Sequence, residues 1–288
     1  MKRLTSKQIV ETSSPEMHRA AALCGFGALV YLTVDSALSG LLGPSLDSVS
    51  PLVGELVALG KNILALATPL LVALACLPGK PIWLKRPRRG MLPGLFVLFW
   101  GCTMAGNLLS TGLRMLLGQQ GGVELPVGVP MGLVWIRLAL IPAVGEELLF
   151  RGLMQGYLRP WGGRVAIWGQ AILFALLHGD VSTCLSALLS GLALGLCAEY
   201  SGSLLPGMAF HFYNNALALL GQTDAAPGWV QPVLLLGLPA AALAVWVIRT
   251  KRLPRLQGGS GAGILFRCPG YMLAVLLLTV QMLYATLT

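Results

Sequence analysis

The sequence predicts an all-α protein, a polytopic transmembrane helix bundle of about eight to nine spans. Three observations predict it. Of 288 residues, 56% are hydrophobic and only 11% are charged, whereas soluble domains carry about 25% charged residues. Nine stretches approach the length of about 20 apolar residues that a membrane span requires. Lys and Arg collect in alternate loops, the pattern that sets orientation in a membrane.

The chain opens with a polar, basic segment, residues 1–19, containing Lys2, Arg3, Lys7 and Arg19. It leads into an apolar run too long for a signal-peptide core, so it reads as a retained signal anchor with a cytoplasmic N-terminus. Residues 20–126 hold the N-terminal spans, at Ala20–Leu42, Leu56–Leu77 and Leu92–Leu113. Residues 127–220 hold the next four, at Val127–Phe150, Val165–Leu177, Thr183–Glu199 and Leu204–Leu220; the short one beginning at Val165 is expected to run on past His178. Residues 221–288 hold Val230–Ile248, a Gly-rich linker at Gln257–Gly263, and Tyr271–Leu287. The linker sets the last span apart, and the fold is not expected to depend on it.

The loops test this division. Basic residues precede the first span, then follow the second (Lys80, Lys85, Arg86, Arg88, Arg89), the fourth (Arg151, Arg159, Arg164) and the eighth (Arg249, Lys251, Arg252, Arg255). The intervening loops Gly43–Pro51, Gly118–Pro126, Gly179–Ser182 and Gly221–Trp229 have none. The alternation places the N-terminus inside and the C-terminus outside. The net charge of +9 thus reports topology and a lipid bilayer with anionic headgroups. No aromatic-interleaved basic surface points to nucleic acid.

The six cysteines, Cys24, Cys76, Cys102, Cys184, Cys197 and Cys268, show no CxxC spacing. They read as buried free thiols rather than a disulfide framework or structural zinc site. Ala187, Gly191 and Gly195 form a ridge of small residues that lets a neighbouring helix approach closely. Asp35, Lys61, Asn107 and Arg137 read as interhelical hydrogen-bonding or snorkelling groups, and Asp180 as a solvated loop residue.

Ionisable groups at membrane depth are costly, about 2.5–3.5 kcal/mol each on insertion scales, and mark function. Only 11 Asp and Glu occur in the chain, and two of them, Glu146 and Glu147, are adjacent at the end of an apolar run. Glu147 and Arg151 are four apart, the spacing of an ion pair on one helix face. Glu146 then points about 100° away. Of three histidines, His178 and His211 lie inside apolar runs, and Asn215 shares the helix face of His211.

Glu146-Glu147-x-x-x-Arg151, Phe174-x-x-x-His178 and His211-x-x-x-Asn215 resemble, in order, the three signature motifs of the CPBP intramembrane proteases. This family comprises CAAX proteases and bacteriocin-processing enzymes and is also called the Abi family. The resemblance covers about Val127–Leu220. It implies a membrane-embedded endopeptidase whose substrate is a membrane-associated peptide or protein. Glu146, Glu147, His178, His211 and Asn215 are then the catalytic set, and Arg151 pairs Glu147.

The chemistry fits those residue types. Peptide hydrolysis needs an activated water, a donor to the developing oxyanion and a proton for the leaving amine. Glu146 suits the base, His178 the shared water and proton shuttle, and His211 with Asn215 the oxyanion. The expected cofactor set is empty. Zinc is the alternative, with Glu146, His178 and His211 as ligands, because two His and a Glu also form a catalytic zinc set. Two non-proteolytic readings use the same buried charges: an immunity or chaperone-like membrane protein, and an ion carrier. Short basic loops suit a bacterial inner membrane. Substrate identity and oligomeric state are not written in the chain.

Overall fold

The computed structural model describes residues 15–46, 49–76, 83–119, 125–222 and 262–287, with isolated positions 236, 240, 242, 243 and 256. The described residues are almost wholly helical and contain no strand. In chain order the helices are α1 (Pro15–Leu46), α2 (Pro51–Cys76), α3 (Leu92–Leu117), α4 (131–158), α5 (Gly163–Leu176), α6 (Val181–Ser201), α7 (Leu205–Leu220) and α8 (Pro269–Leu287). The predicted span Val230–Ile248 lies outside the described residues.

Among the described residues, five helices, α1, α2, α3, α6 and α8, are long and apolar enough to cross a membrane. The other three fall short of that measure for separate reasons. Helix α4 is continuous but is interrupted by two wide π-type stretches, Ile136–Leu140 and Glu147–Met154. The first precedes Pro142, which has no N–H for the Leu138 carbonyl and whose ring crowds it; widening the turn relieves both. Helices α5 and α7 have 14 and 16 residues. At 1.5 Å per residue, α5 is about 21 Å long, less than the apolar thickness of a bilayer.

The expected run of α5 past His178 is not found. The helix ends at Leu176, because Gly179 adopts φ +70° and Asp180 begins the next element. Asp180 is the N-cap of α6, accepting from the backbone N–H groups of Ser182 and Thr183. It also takes the Thr183 hydroxyl, and Arg114 at 3.3 Å. Burial pushes its carboxyl up, but these donors outweigh burial and hold it below the usual carboxylate range. It is a structural cap as well as a partly solvated loop residue.

Turns gather at the two ends of the bundle. At one end, Arg88 N–H donates to Ser201 O, Leu204 N–H donates to Trp83 O, and the Arg159 guanidinium lies 4.7 Å from the Trp83 ring centre. Lys85, Arg86, Arg88, Arg89, Arg159 and Arg164 therefore share that end. At the other, Arg114 meets Asp180, Ser182 donates to Gln119, and Val181 N–H donates to Thr286. This grouping matches the loop alternation read from the sequence.

The small-residue ridge of α6 packs as expected. A Cβ on Gly191 would lie 3.1 Å from Phe174, and one on Gly195 2.7 Å from Gln170 Nε2, so α5 seats directly on that face. Across α6, a Cβ on Gly106 of α3 would stand 2.6 Å from the Ser186 backbone.

Helix α8 is not an appendage, contrary to expectation. Tyr271, Ala274 and Leu278 are fully buried, and the Tyr271 hydroxyl donates to Gly169 O at 2.8 Å. Its partner is α1: a Cβ on Gly25 would stand 2.7 Å from Ala274 and one on Gly270 2.6 Å from Ala22. Glycines on both helices, Gly25 and Gly270, let the backbones close.

Candidate active site

Helix α4 carries a polar stripe at intervals of four, Glu147, Arg151 and Gln155, continued by Arg159 in the turn just past its end. The first three are fully buried. Arg151 Nη1 donates to Glu147 Oε1 at 2.9 Å, and neither side chain meets solvent. Its Nη2 reaches Gly191 O at 3.4 Å, and Gln170 Nε2 reaches the same carbonyl at 2.9 Å. Gln155 Nε2 donates to Gly195 O at 2.9 Å. The small residues of α6 expose the carbonyls that satisfy these buried donors, as burial of polar groups demands.

His211 closes the pair from α7. Its Nδ1–H donates to Glu147 Oε1 at 3.1 Å, since a carboxylate can only accept. That leaves Nε2 facing Glu146 Oε2 at 3.7 Å. His211 thus bridges the two glutamates. Glu147 Oε2 has no hydrogen-bond partner among the described residues and lies where a Cβ on Gly207 would stand 2.8 Å away. Glycine at 207 is what lets α7 come this close.

Glu146 looks the other way, as the helix wheel requires. It lines a cavity of about 130 Å³ together with Tyr31, Phe150, Phe174, Leu177 and His178. His178 sits in the turn after α5, exposed, with Nδ1–H donating to Phe174 O at 2.8 Å. Its Nε2 therefore carries a lone pair in the neutral ring. The two glutamates consequently have separate surroundings: Glu147 in a dry, paired site and Glu146 at a cavity wall.

Depth does not keep the groups apart. Glu146 is 12 residues from Leu158, about 18 Å along the helix, and α5 rises about 20 Å over the 13 residues from Gly163 to Leu176, with His178 in the turn just beyond. The short α5 brings them level.

Phe174 links the pieces. Its ring centre is 4.3 Å from Arg151 Cζ, 4.7 Å from the His178 ring and 6.1 Å from the His211 ring. A cation on an aromatic face gains about 0.5–2 kcal/mol, and the contact shields the Glu147–Arg151 pair from the cavity.

Asn215 is half-buried, one turn beyond His211, and its Oδ1 accepts from Asn214 Nδ2 at 3.4 Å. Its own Nδ2 remains a donor on the face that carries His211. It does not belong to the cavity wall around Glu146.

Among the described residues, no three His, Cys, Asp or Glu side chains stand together to hold a metal ion. His211 Nδ1 is committed to a glutamate already paired with arginine.

Three of the other polar groups singled out within spans, Asp35, Lys61 and Arg137, are paired between helices. Lys61 meets Asp35 at 2.9 Å and Arg137 meets Glu55 at 2.5 Å; Glu55, Gln155, Gln170 and Tyr31 escape a reading of motifs. Gln155 was traceable as the next member of the i,i+4 stripe. Tyr31 and Glu55 carried no such signal.

The sequence model of a family described as Rce1-like, type II CAAX prenyl endopeptidase, matches residues 128–217. No curated protein and no solved structure matches the chain.

Proposed function

We propose that the protein is a multi-pass membrane protease whose core, residues 128–217, is of the Rce1-like CAAX-endopeptidase type, and that Glu146 activates the water that cleaves the peptide. The observation that carries this is the division of the glutamate pair. Glu147 is held by Arg151 and His211 and closed to solvent, while Glu146 faces the cavity beside His178.

Water at the cavity donates to the Glu146 carboxylate and to His178 Nε2. As its oxygen attacks the scissile carbonyl carbon, Glu146 takes one proton and the carbonyl π pair moves onto oxygen. Collapse of the tetrahedral species reforms the carbonyl and breaks the C–N bond. The proton held by Glu146, passed by His178, goes to the departing nitrogen, leaving a carboxylic acid and an amine. His211 and Asn215, on one face of α7, are the donors assigned to the oxyanion; His211 keeps Nδ1–H on Glu147 and donates from Nε2 when that nitrogen is protonated. Glu147 and Arg151 position His211.

The substrate is a membrane-anchored peptide or protein segment that reaches the cavity from the bilayer. The end of the bundle rich in Lys and Arg is assigned to the cytoplasm by the positive-inside rule, with the N-terminus on that side, in a bacterial inner membrane. No metal or organic cofactor is assigned to the reaction.

The test is Glu146→Gln in purified full-length protein in proteoliposomes, with a farnesylated CAAX-type peptide carrying a fluorophore and quencher across the cleavage site. Turnover should fall by at least about 10²-fold, the usual loss with a general base, with unchanged melting behaviour. Wild-type rates from the variant would remove Glu146 from this role.

A further inference from the structure

The cavity holds a group that none of the three motifs supplies. Of its six lining side chains, Phe150, Phe174 and Leu177 are apolar. The polar ones are Glu146, His178 and Tyr31. An ionised glutamate only accepts hydrogen bonds, and His178, with Nδ1–H on the Phe174 carbonyl, turns an accepting Nε2 to the cavity. Two acceptors suit a water with two protons to donate. They offer nothing to a peptide carbonyl oxygen, which needs a donor.

Within the cavity wall itself the one donor is the Tyr31 hydroxyl, in addition to those assigned to His211 and Asn215 on α7. Tyr31 lies on α1, outside the 128–217 match. Helix α1 is fixed against the second half of α4: Cys24 Sγ lies 3.6 Å from Met154 O, and a Cβ on Gly27 would touch Met154 at 3.6 Å. One turn on from Gly27, Tyr31 comes level with Phe150 and Glu146, one and two turns back along the antiparallel α4. No hydrogen bond within the described residues uses its hydroxyl, and that oxygen is not sealed in the protein. The hydroxyl is therefore available to the cavity's occupant.

We propose that Tyr31 is a further catalytic residue, donating its hydroxyl hydrogen bond to the scissile carbonyl oxygen and strengthening that bond as the oxygen becomes an oxyanion. The phenol keeps its proton throughout; no bond of Tyr31 is made or broken. The assignment rests on the hydrolytic reading of the cavity given above. It means that the protease site is completed by an N-terminal helix, and that α1 is a functional part of the enzyme rather than an anchor alone.

The experiment compares wild type, Tyr31→Phe and Glu146→Gln, each full-length in proteoliposomes, on the farnesylated CAAX-type peptide. Tyr31→Phe removes one oxygen that bonds nothing in the protein, so its melting temperature should match wild type. Its kcat should fall on the order of 10²-fold, as when one oxyanion donor is removed, with KM within about twofold. A kcat within about twofold of wild type would overturn the assignment. As a second readout, 3,5-difluorotyrosine at position 31 acidifies the phenol. The alkaline limb of kcat should move to lower pH, because a phenolate has no proton to donate; an unmoved limb would overturn the assignment independently of any effect on folding. Glu146→Gln separates the two claims. If it stays active, the base assignment fails whatever Tyr31→Phe does. If it is inactive while Tyr31→Phe turns over normally, only the Tyr31 assignment fails.

Discussion

Arg151 and Glu147 form an ion pair at 2.9 Å with both side chains closed to solvent. Removing one partner of such a pair leaves an uncompensated buried charge, at a cost of about 3–5 kcal/mol. Arg151→Ala should therefore lower the folded yield in membranes and the melting temperature more than it lowers the turnover of the molecules that fold. Yield on a membrane blot, thermal melting and active-site-normalised kcat decide it. Normal yield and melting with lost turnover would place Arg151 in the chemistry instead.

Gly207 sits opposite the free oxygen of Glu147, where a Cβ would stand 2.8 Å from Oε2. The carboxylate cannot swing aside, because Arg151 and His211 hold its other oxygen. Gly207→Ala should push α7 away, lengthen the His211–Glu146 approach and cut turnover by at least about 10-fold, the scale of a misplacement far smaller than a residue. Equal kinetics for Gly207→Ala and wild type would show that α7 has slack the packing does not suggest.

Helix α8 supplies a stability prediction. Tyr271→Phe removes the hydrogen bond to Gly169 O and keeps the ring, so it should cost about 0.5–1.5 kcal/mol. A fall of a few degrees in the detergent melting temperature, with kcat unchanged, is expected. No shift would mean that α8 adds packing area but no polar tie to α5.

Most of the helix bundle was legible because apolar length and loop charge report the same thing twice. The candidate site was legible because ionisable residues in apolar runs are rare, so Glu146, Glu147, His178 and His211 stood out as candidates without any contact being known. What escaped is tertiary. Nothing in the sequence says that α5 stops at Leu176, since only Gly179 at positive φ and the Asp180 cap make the turn; the apolar pattern continues through Leu177. Nothing says that a Gly-rich linker leads to a buried helix, because the fit of Gly25 to Ala274 lies between segments some 250 residues apart. Tyr31 carries no motif, and only the antiparallel packing of α1 on α4 brings it to Glu146.

The central claim is that a carboxylate at the cavity wall, and no metal ion, generates the nucleophile. Turnover of the farnesylated peptide by wild-type protein after stringent chelation, with bound metal counted by elemental analysis, tests it most directly. Full turnover without stoichiometric metal is the predicted result. Stoichiometric zinc whose removal stops cleavage and whose return restores it would contradict the claim, because the metal would then generate the nucleophile.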